Sequence, residues 1–136
     1  MRIFIRHLLL LVLLAVSTQA YCQQMYDRSG SILGRYDSGK IYDRSGSYKG
    51  KIDSGRFYDR SGSYIGYENN GRFYDRSGSY VGYTSSGYYY DRSGTILGHI
   101  SGSSVYDHSG SYIGRVNNVP AKIAALIYFY GYYIMY

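Results

Sequence analysis

The chain has 136 residues, among them 21 Tyr and 18 Gly but no Trp, one Pro and one Cys, and its 15 Lys and Arg against 9 Asp and Glu leave a net charge of +6 at pH 7. Aromatic residues at this density bury too much surface for a disordered chain, and a lone Cys excludes an internal disulfide framework. So narrow a composition marks a short unit copied many times, and it argues against an enzyme, which needs varied side chains to build one asymmetric site.

The first segment reads as an address. Arg2 and Arg6 precede an unbroken apolar run from Leu8 to Val16, and the small residues Ser17, Thr18 and Ala20 follow. That order is a basic region, an apolar region and a cleavage site, the pattern of a secretory signal peptide. The run is shorter than the roughly 20 residues needed to cross a bilayer. Residues 1–20 are therefore expected to be removed, with the cut after Ala20 or alternatively after Cys22. Cys22 as the lipid-bearing first residue of a lipoprotein is the weaker reading. That signal wants a small residue just before the Cys and an aliphatic one three before it, where Tyr21 and Gln19 stand. The expected location is periplasmic, secreted or cell-surface. Without the first 20 residues, 13 basic side chains face 9 acidic ones, a net of +4. Outside the cell this mild excess points to an anionic surface before it points to nucleic acid.

Residues 21–119 form a repeat domain. Tyr26, Tyr42, Tyr58, Tyr74, Tyr90 and Tyr106 stand 16 residues apart without an insertion, each followed by Asp, then Arg (His at 108), then Ser-Gly. Each unit holds two turn signals: Asp-Arg-Ser-Gly, and Asp-Ser-Gly, Asn-Asn-Gly or Ser-Ser-Gly. Asp or Asn opening a turn and Gly supplying positive φ are the chemistry of tight hairpins. The runs between them, such as Arg72–Asp75 and Ser63–Tyr67, span four or five residues rich in Tyr, Phe, Ile and Val, which suit strands. The pattern predicts a meander of about twelve short antiparallel strands. Alternation puts Met25, Ile41, Phe57, Phe73, Tyr89 and Val105 on one side and the Tyr of each Tyr-Asp on the other. Leu33, Ile65, Val81, Leu97 and Ile113 make a further apolar row that Lys49 interrupts.

Gly34, Gly50, Gly66, Gly82, Gly98 and Gly114 recur at one strand position, a sign of a sharp bend or of another backbone close by. An open sheet would leave two sticky edges, so closure into a ring is expected. If Met25–Asp27 pairs with Ser111–Arg115, the ends zip together around five complete petals; six-fold closure and an open array are the competing geometries. Residues 120–136 form an apolar, aromatic tail. As a helix, its 16 residues after Pro120 would reach about 24 Å at ~1.5 Å each, short of a bilayer core of about 30 Å. A closing element that covers apolar surface of the ring is the expected role, and a membrane-contacting or partner-docking aromatic foot is the alternative. The petal strands are also shorter than the roughly nine to eleven residues of a membrane barrel strand.

Units shaped as apolar-Tyr-Asp-x-x-Gly-x-x-[Ile/Val]-Gly, together with the Ala-Ala and aromatic run of the tail, resemble the small bacterial β-flower proteins over Tyr26 to about Tyr136. The resemblance implies a ring of hairpin petals about a central axis and an exported protein, and it implies no particular activity. Gly87-Tyr-Tyr-Tyr-Asp-Arg-Ser-Gly94 is also similar to the core of choline- and glucan-binding cell-wall repeats, but those units run longer and lean on Trp. Toxin-type Tyr-Asp repeats share the Tyr-Asp-x-x-Gly at a longer spacing.

The Asp row (Asp27, Asp43, Asp59, Asp75, Asp91, Asp107) is expected to cap turns, since calcium needs six to eight oxygens converging on one point. In a closed ring, Arg28, Arg44, Arg60, Arg76 and Arg92 would line one rim, solvated or gripping phosphate or acidic sugar with their guanidinium forks. The Tyr rows, with Tyr64 and Tyr80 as candidates, would pack petal on petal or stack on sugar rings. Asp107-His108-Ser109 names a hydrolase triad, but three neighbours in a turn cannot converge. His99 is isolated, and nothing in the sequence suggests a cofactor or metal. The expectation is an exported, non-enzymatic structural or interaction protein of the envelope with a polysaccharide or protein partner. A carbohydrate- or cell-wall-binding module is the alternative.

Overall fold

Each 16-residue unit folds as a four-residue strand, a turn, a six-residue strand and a second turn. A computed structural model describes residues 23–135; the expected signal peptide and Cys22 lie outside the described residues. The strands in chain order are β1 (Gln24–Asp27), β2 (Ile32–Asp37), β3 (Lys40–Asp43), β4 (Tyr48–Asp53), β5 (Arg56–Asp59), β6 (Tyr64–Asn69), β7 (Arg72–Asp75), β8 (Tyr80–Ser85), β9 (Tyr88–Asp91), β10 (Ile96–Ser101), β11 (Ser104–Asp107) and β12 (Tyr112–Asn117). A short helix, α1 (Ala121–Tyr128), follows Pro120.

The two turns differ as their residues require. In the first, Gly30 N–H donates to the Asp27 carbonyl at 3.1 Å and Asp27 N–H to that of Ser31 at 2.9 Å, with Gly30 at φ +88°. This is a type I turn continued by a left-handed glycine, a common three-residue hairpin loop. In the second, Ser38 and Gly39 both take positive φ, the two-residue turn whose twist matches that of the strands it joins. One residue past the first turn the register shifts: Tyr26 faces Ile32, but Met25 faces Gly34, so Leu33 is bulged out. The same shift recurs in every unit and puts Lys49 at a bulge, half-buried. A bulged residue is left out of the ladder, which is how one Lys interrupts this apolar row without harm.

The strands close into a twelve-stranded barrel in which β1 pairs antiparallel with β12. Met25 faces Val116 and Asp27 faces Gly114, the register found inside each petal, where Gly34 faces Asp43. The ends zip as expected, and the zipped pair is itself a petal without a turn. Five petals closed by two-residue turns and one made from the first and last strands thus repeat the pattern six times about the axis.

Met25, Ile41, Phe57, Phe73, Tyr89 and Val105, one from each short strand, point inward and are 0–2% exposed. They do not fill the interior. A barrel of about eight strands is just narrow enough for wall side chains to meet at its centre, and width grows with strand number. The space inside twelve strands is taken by α1 and the segment after it, whose Ala124, Ala125, Leu126, Tyr133 and Met135 are buried in the same core. Among the described residues no helix is long and apolar enough to cross a membrane.

Candidate functional site

The inner site is a lock between tail and wall. Six tail side chains lie on the six recurring strand glycines, going backwards round the ring: Tyr128 on Gly114, Phe129 on Gly98, Tyr130 on Gly82, Tyr132 on Gly66, Tyr133 on Gly50 and Met135 on Gly34. A Cβ on any of these glycines would come within 3.1 Å of that tail side chain. Four hydroxyls go further and donate to wall carbonyls: Tyr128 to Tyr26 (2.6 Å), Tyr130 to Tyr90 (2.9 Å), Tyr132 to Tyr74 (2.8 Å) and Tyr133 to Tyr58 (2.9 Å). Between these spokes the rings meet the wall aromatics, Phe57 with Tyr132 at 4.9 Å, Phe73 with Tyr130 at 4.5 Å and Tyr89 with Phe129 at 5.3 Å. The glycine row therefore marks close approach of both a carbonyl and a side chain from the tail. Sequence reasoning missed this match, because the tail offers more bulky residues than the wall has glycines and only the closed ring shows which six meet them.

Burial pushes the phenols of Tyr128, Tyr130, Tyr132 and Tyr133 far above the ordinary range. Their folded pKa values exceed the unfolded ones, so this stability is fully present below about pH 10, the ordinary tyrosine value, and is lost as pH rises beyond it. The ring should accordingly hold at neutral pH and unfold above about pH 10, these phenols ionising together with the loss of structure. Phenolate absorbance and circular dichroism read side by side test this. Gradual ionisation of all tyrosines with unchanged dichroism would show that the tail is open to water.

One rim carries the Asp-Arg-Ser-Gly turns. Asp27 Oδ1 accepts from Ser29 N–H (3.0 Å), Ser31 N–H (3.0 Å) and the Ser29 hydroxyl (2.7 Å), and every later copy is built alike. The serine hydroxyl holds the carboxyls of Asp27, Asp43, Asp59, Asp75 and Asp107 below the usual range, while at Asp91 the Thr95 N–H leads. Turn-capping is thus what these carboxylates do. Arg28, Arg44, Arg60, Arg76 and Arg92 are all exposed on this rim. Arg44 reaches back to the preceding turn, to Asp27 Oδ2 at 3.2 Å and the Ile32 carbonyl at 2.9 Å. An exposed pair of this kind contributes little. Asp107 spends its Oδ1 on Ser109, and His108 is exposed beside them, so these three do not form a nucleophile–base–orienter line.

The outer wall is lined by aromatic and cationic side chains. The residue after each wall glycine lies on the Tyr of the next Tyr-Asp: Arg35 on Tyr42 (4.4 Å), Lys51 on Tyr58 (5.3 Å), Tyr67 on Tyr74 (4.5 Å), Tyr83 on Tyr90 (4.6 Å), His99 on Tyr106 (4.6 Å) and Arg115 on Tyr26 (3.8 Å). Tyr64 and Tyr80 stand on this wall, edge-on to Tyr58 and Tyr74 at 6.1 Å. Tyr64 shares an open groove of about 410 Å³ with Arg56, Tyr58 and Tyr67. The rim arginines are not among the residues that line this groove. Arg56 was the missed member. Alternation along β5 puts it on the same face as Tyr58, and register sets it opposite Tyr67.

No match was found among curated proteins or among solved structures. The family model described as "5-fold beta-flower protein" matches residues 22–132. With the closed ring of repeated hairpins and a match over most of its length, the chain belongs to the five-fold β-flower family.

Proposed function

We propose that this β-flower is an exported, non-enzymatic scaffold that works at the cell envelope by offering its outer wall to a partner. The observation that carries this reading is the division of labour between its two faces. Inward positions go to the short-strand apolar row and the tail spokes, which pack against each other. The outer wall instead carries Tyr, Arg, Lys and His side chains in repeated rows, a form suited to many weak, equivalent contacts. The tail spends its rings on the wall glycines, which supports a closing role over a membrane foot.

Export is supported by the basic, apolar and small-residue order of residues 1–20. Expressed from its full sequence in a Gram-negative host, the protein should be recovered from the periplasmic fraction with Tyr21 as its first residue by mass spectrometry. Recovery from the cytosol with residues 1–20 still attached would refute the envelope location.

A further inference from the structure

Two successive strand pairs, β5–β6 and β7–β8, differ from the other four on the outer wall. Only in these does an Arg two places before the Tyr of Tyr-Asp combine with three tyrosines: Arg56, Tyr58, Tyr64 and Tyr67, then Arg72, Tyr74, Tyr80 and Tyr83. Elsewhere that Arg position holds Gln24, Lys40, Tyr88 or Ser104. The two sets are built alike. Arg56 faces Tyr67 and Arg72 faces Tyr83 across the ladder, and the Tyr58–Tyr64 and Tyr74–Tyr80 pairs have the same 6.1 Å edge-on contact. By the repeat, the second set makes a counterpart of the Tyr64 groove, and the stacked Tyr67–Tyr74 pair, 4.5 Å apart and tilted by 14°, stands between the two.

The charge at these grooves is unspent. Elsewhere on the wall the cation after the wall glycine lies over a Tyr ring, Arg35 over Tyr42 and Arg115 over Tyr26, and Lys51 covers one face of Tyr58 at the edge of the first set. Here Tyr67 and Tyr83 do the stacking, and Arg56 and Arg72 make no ion pair among the described residues. The nearby acids are already engaged. Asp53, which faces Arg56 across the β4–β5 ladder, accepts from the Ser54 hydroxyl at 3.3 Å, Asp59 and Asp75 cap their own turns, and Arg72 faces Asn69. Resting on the reading of the outer wall as the working face, we propose that these two grooves together bind one chain of an acidic polysaccharide. Its carboxylates would meet Arg56 and Arg72 while its sugar rings lie against the tyrosines.

The chemistry favours this ligand over other polyanions. A pyranose presents an apolar C–H face to an aromatic ring and hydroxyls to phenols, and a guanidinium fork matches a carboxylate. The grooves lie two strand spacings apart, roughly 10 Å along the wall, so a linear polymer crossing the strands can engage both. Bivalent contact of this kind multiplies two weak sites.

Affinity electrophoresis with alginate as the acidic probe, dextran as the neutral one and single-stranded DNA as the non-sugar polyanion tests the proposal. Alginate should retard the protein, and neither dextran nor the DNA should do so comparably. Arg56→Gln alone should weaken alginate binding about tenfold, and Arg56→Gln with Arg72→Gln about a hundredfold or more, since both arms of a bivalent contact are then lost. Both positions are exposed, and circular dichroism checks that the variants stay folded. Tyr67→Ala should also weaken binding, which simple charge attraction would not predict. Equal retardation by DNA, indifference to the Arg56 and Arg72 changes, or loss of binding only on Arg44→Gln with Arg60→Gln at the rim would each overturn the proposal. Absence of any alginate binding would also overturn it, leaving the envelope scaffold to be judged by the fractionation experiment.

Discussion

A chain truncated after Tyr128 should fail to give a soluble, folded monomer. The cut removes Phe129, Tyr130, Tyr132, Tyr133 and Met135, five of the six spokes on the wall glycines. Loss of one large buried ring costs about 3–5 kcal/mol, and a domain of this size has only about 5–15 kcal/mol in total. Two or three spokes therefore suffice to exhaust it. Without them Phe57, Phe73 and Tyr89 would line an open apolar hole, a surface that promotes association. Size-exclusion chromatography and near-ultraviolet dichroism measure the outcome, and a monodisperse truncated chain with native dichroism would refute the lock. Tyr132→Phe is the graded version. It keeps the ring on Gly66 and removes only the donor to the Tyr74 carbonyl, which stays in the β6–β7 ladder, at the ordinary cost of one hydrogen bond, about 0.5–1.5 kcal/mol. Phe129 on Gly98 already shows a spoke without a hydroxyl.

Gly66→Val should be nearly as severe. A Cβ at this position would sit 2.7 Å from Tyr132 Cε1 and 2.5 Å from the Tyr74 carbonyl oxygen. The first neighbour is a ring that can tilt, but the second is backbone held in the barrel ladder. Overpacking in a core typically costs about 1–3 kcal/mol, and here rigid backbone on one side and two further methyls should drive it higher. Gly62→Ala is the control, because its Cβ would meet nothing within 4 Å. Only its left-handed conformation is penalised, by about 1–2 kcal/mol. Urea denaturation of the two variants should rank them in that order. Pairing Gly66→Ala with Tyr132→Ala should relieve only part of the Gly66→Ala clash, since the carbonyl remains. Full relief would assign the glycine row to the tail alone, and an unchanged midpoint for Gly66→Val would refute the close approach.

Much of the fold was legible because it is local and repeated. Asp-Arg-Ser-Gly and Ser-Gly turns are written in residue types whose backbone preferences are known, and six copies in one register left no doubt about strand number. The inward row from Met25 to Val105 followed from alternation. The bulge did not, because an extra residue before Gly34 breaks alternation through geometry that only pairing reveals. For the same reason the longer strands run to six residues where the turn signals suggested four or five. At the candidate site, Tyr64 and Tyr80 were visible as members of a row, but Arg56 joins Tyr64 only across the ladder. The rim arginines stood out in the sequence and prove to lie outside the groove.

The high Tyr and Gly content contains both halves of the structure, yet only one could be read in advance. The 16-residue period by itself determined the hairpins and their turns, since each rests on residues close in the chain; the need to remove an edge made pairing of first strand with last the expectation, and the barrel settles it. Why the glycines recur, and what fills the ring, was decided by tertiary structure alone. Twelve strands enclose more room than their own side chains occupy. The tail that fills it meets each petal over sequence separations of up to about a hundred residues, as Tyr128 does at Tyr26. Contacts of that range depend on the width of the closed barrel, and no short segment of the sequence carries that width.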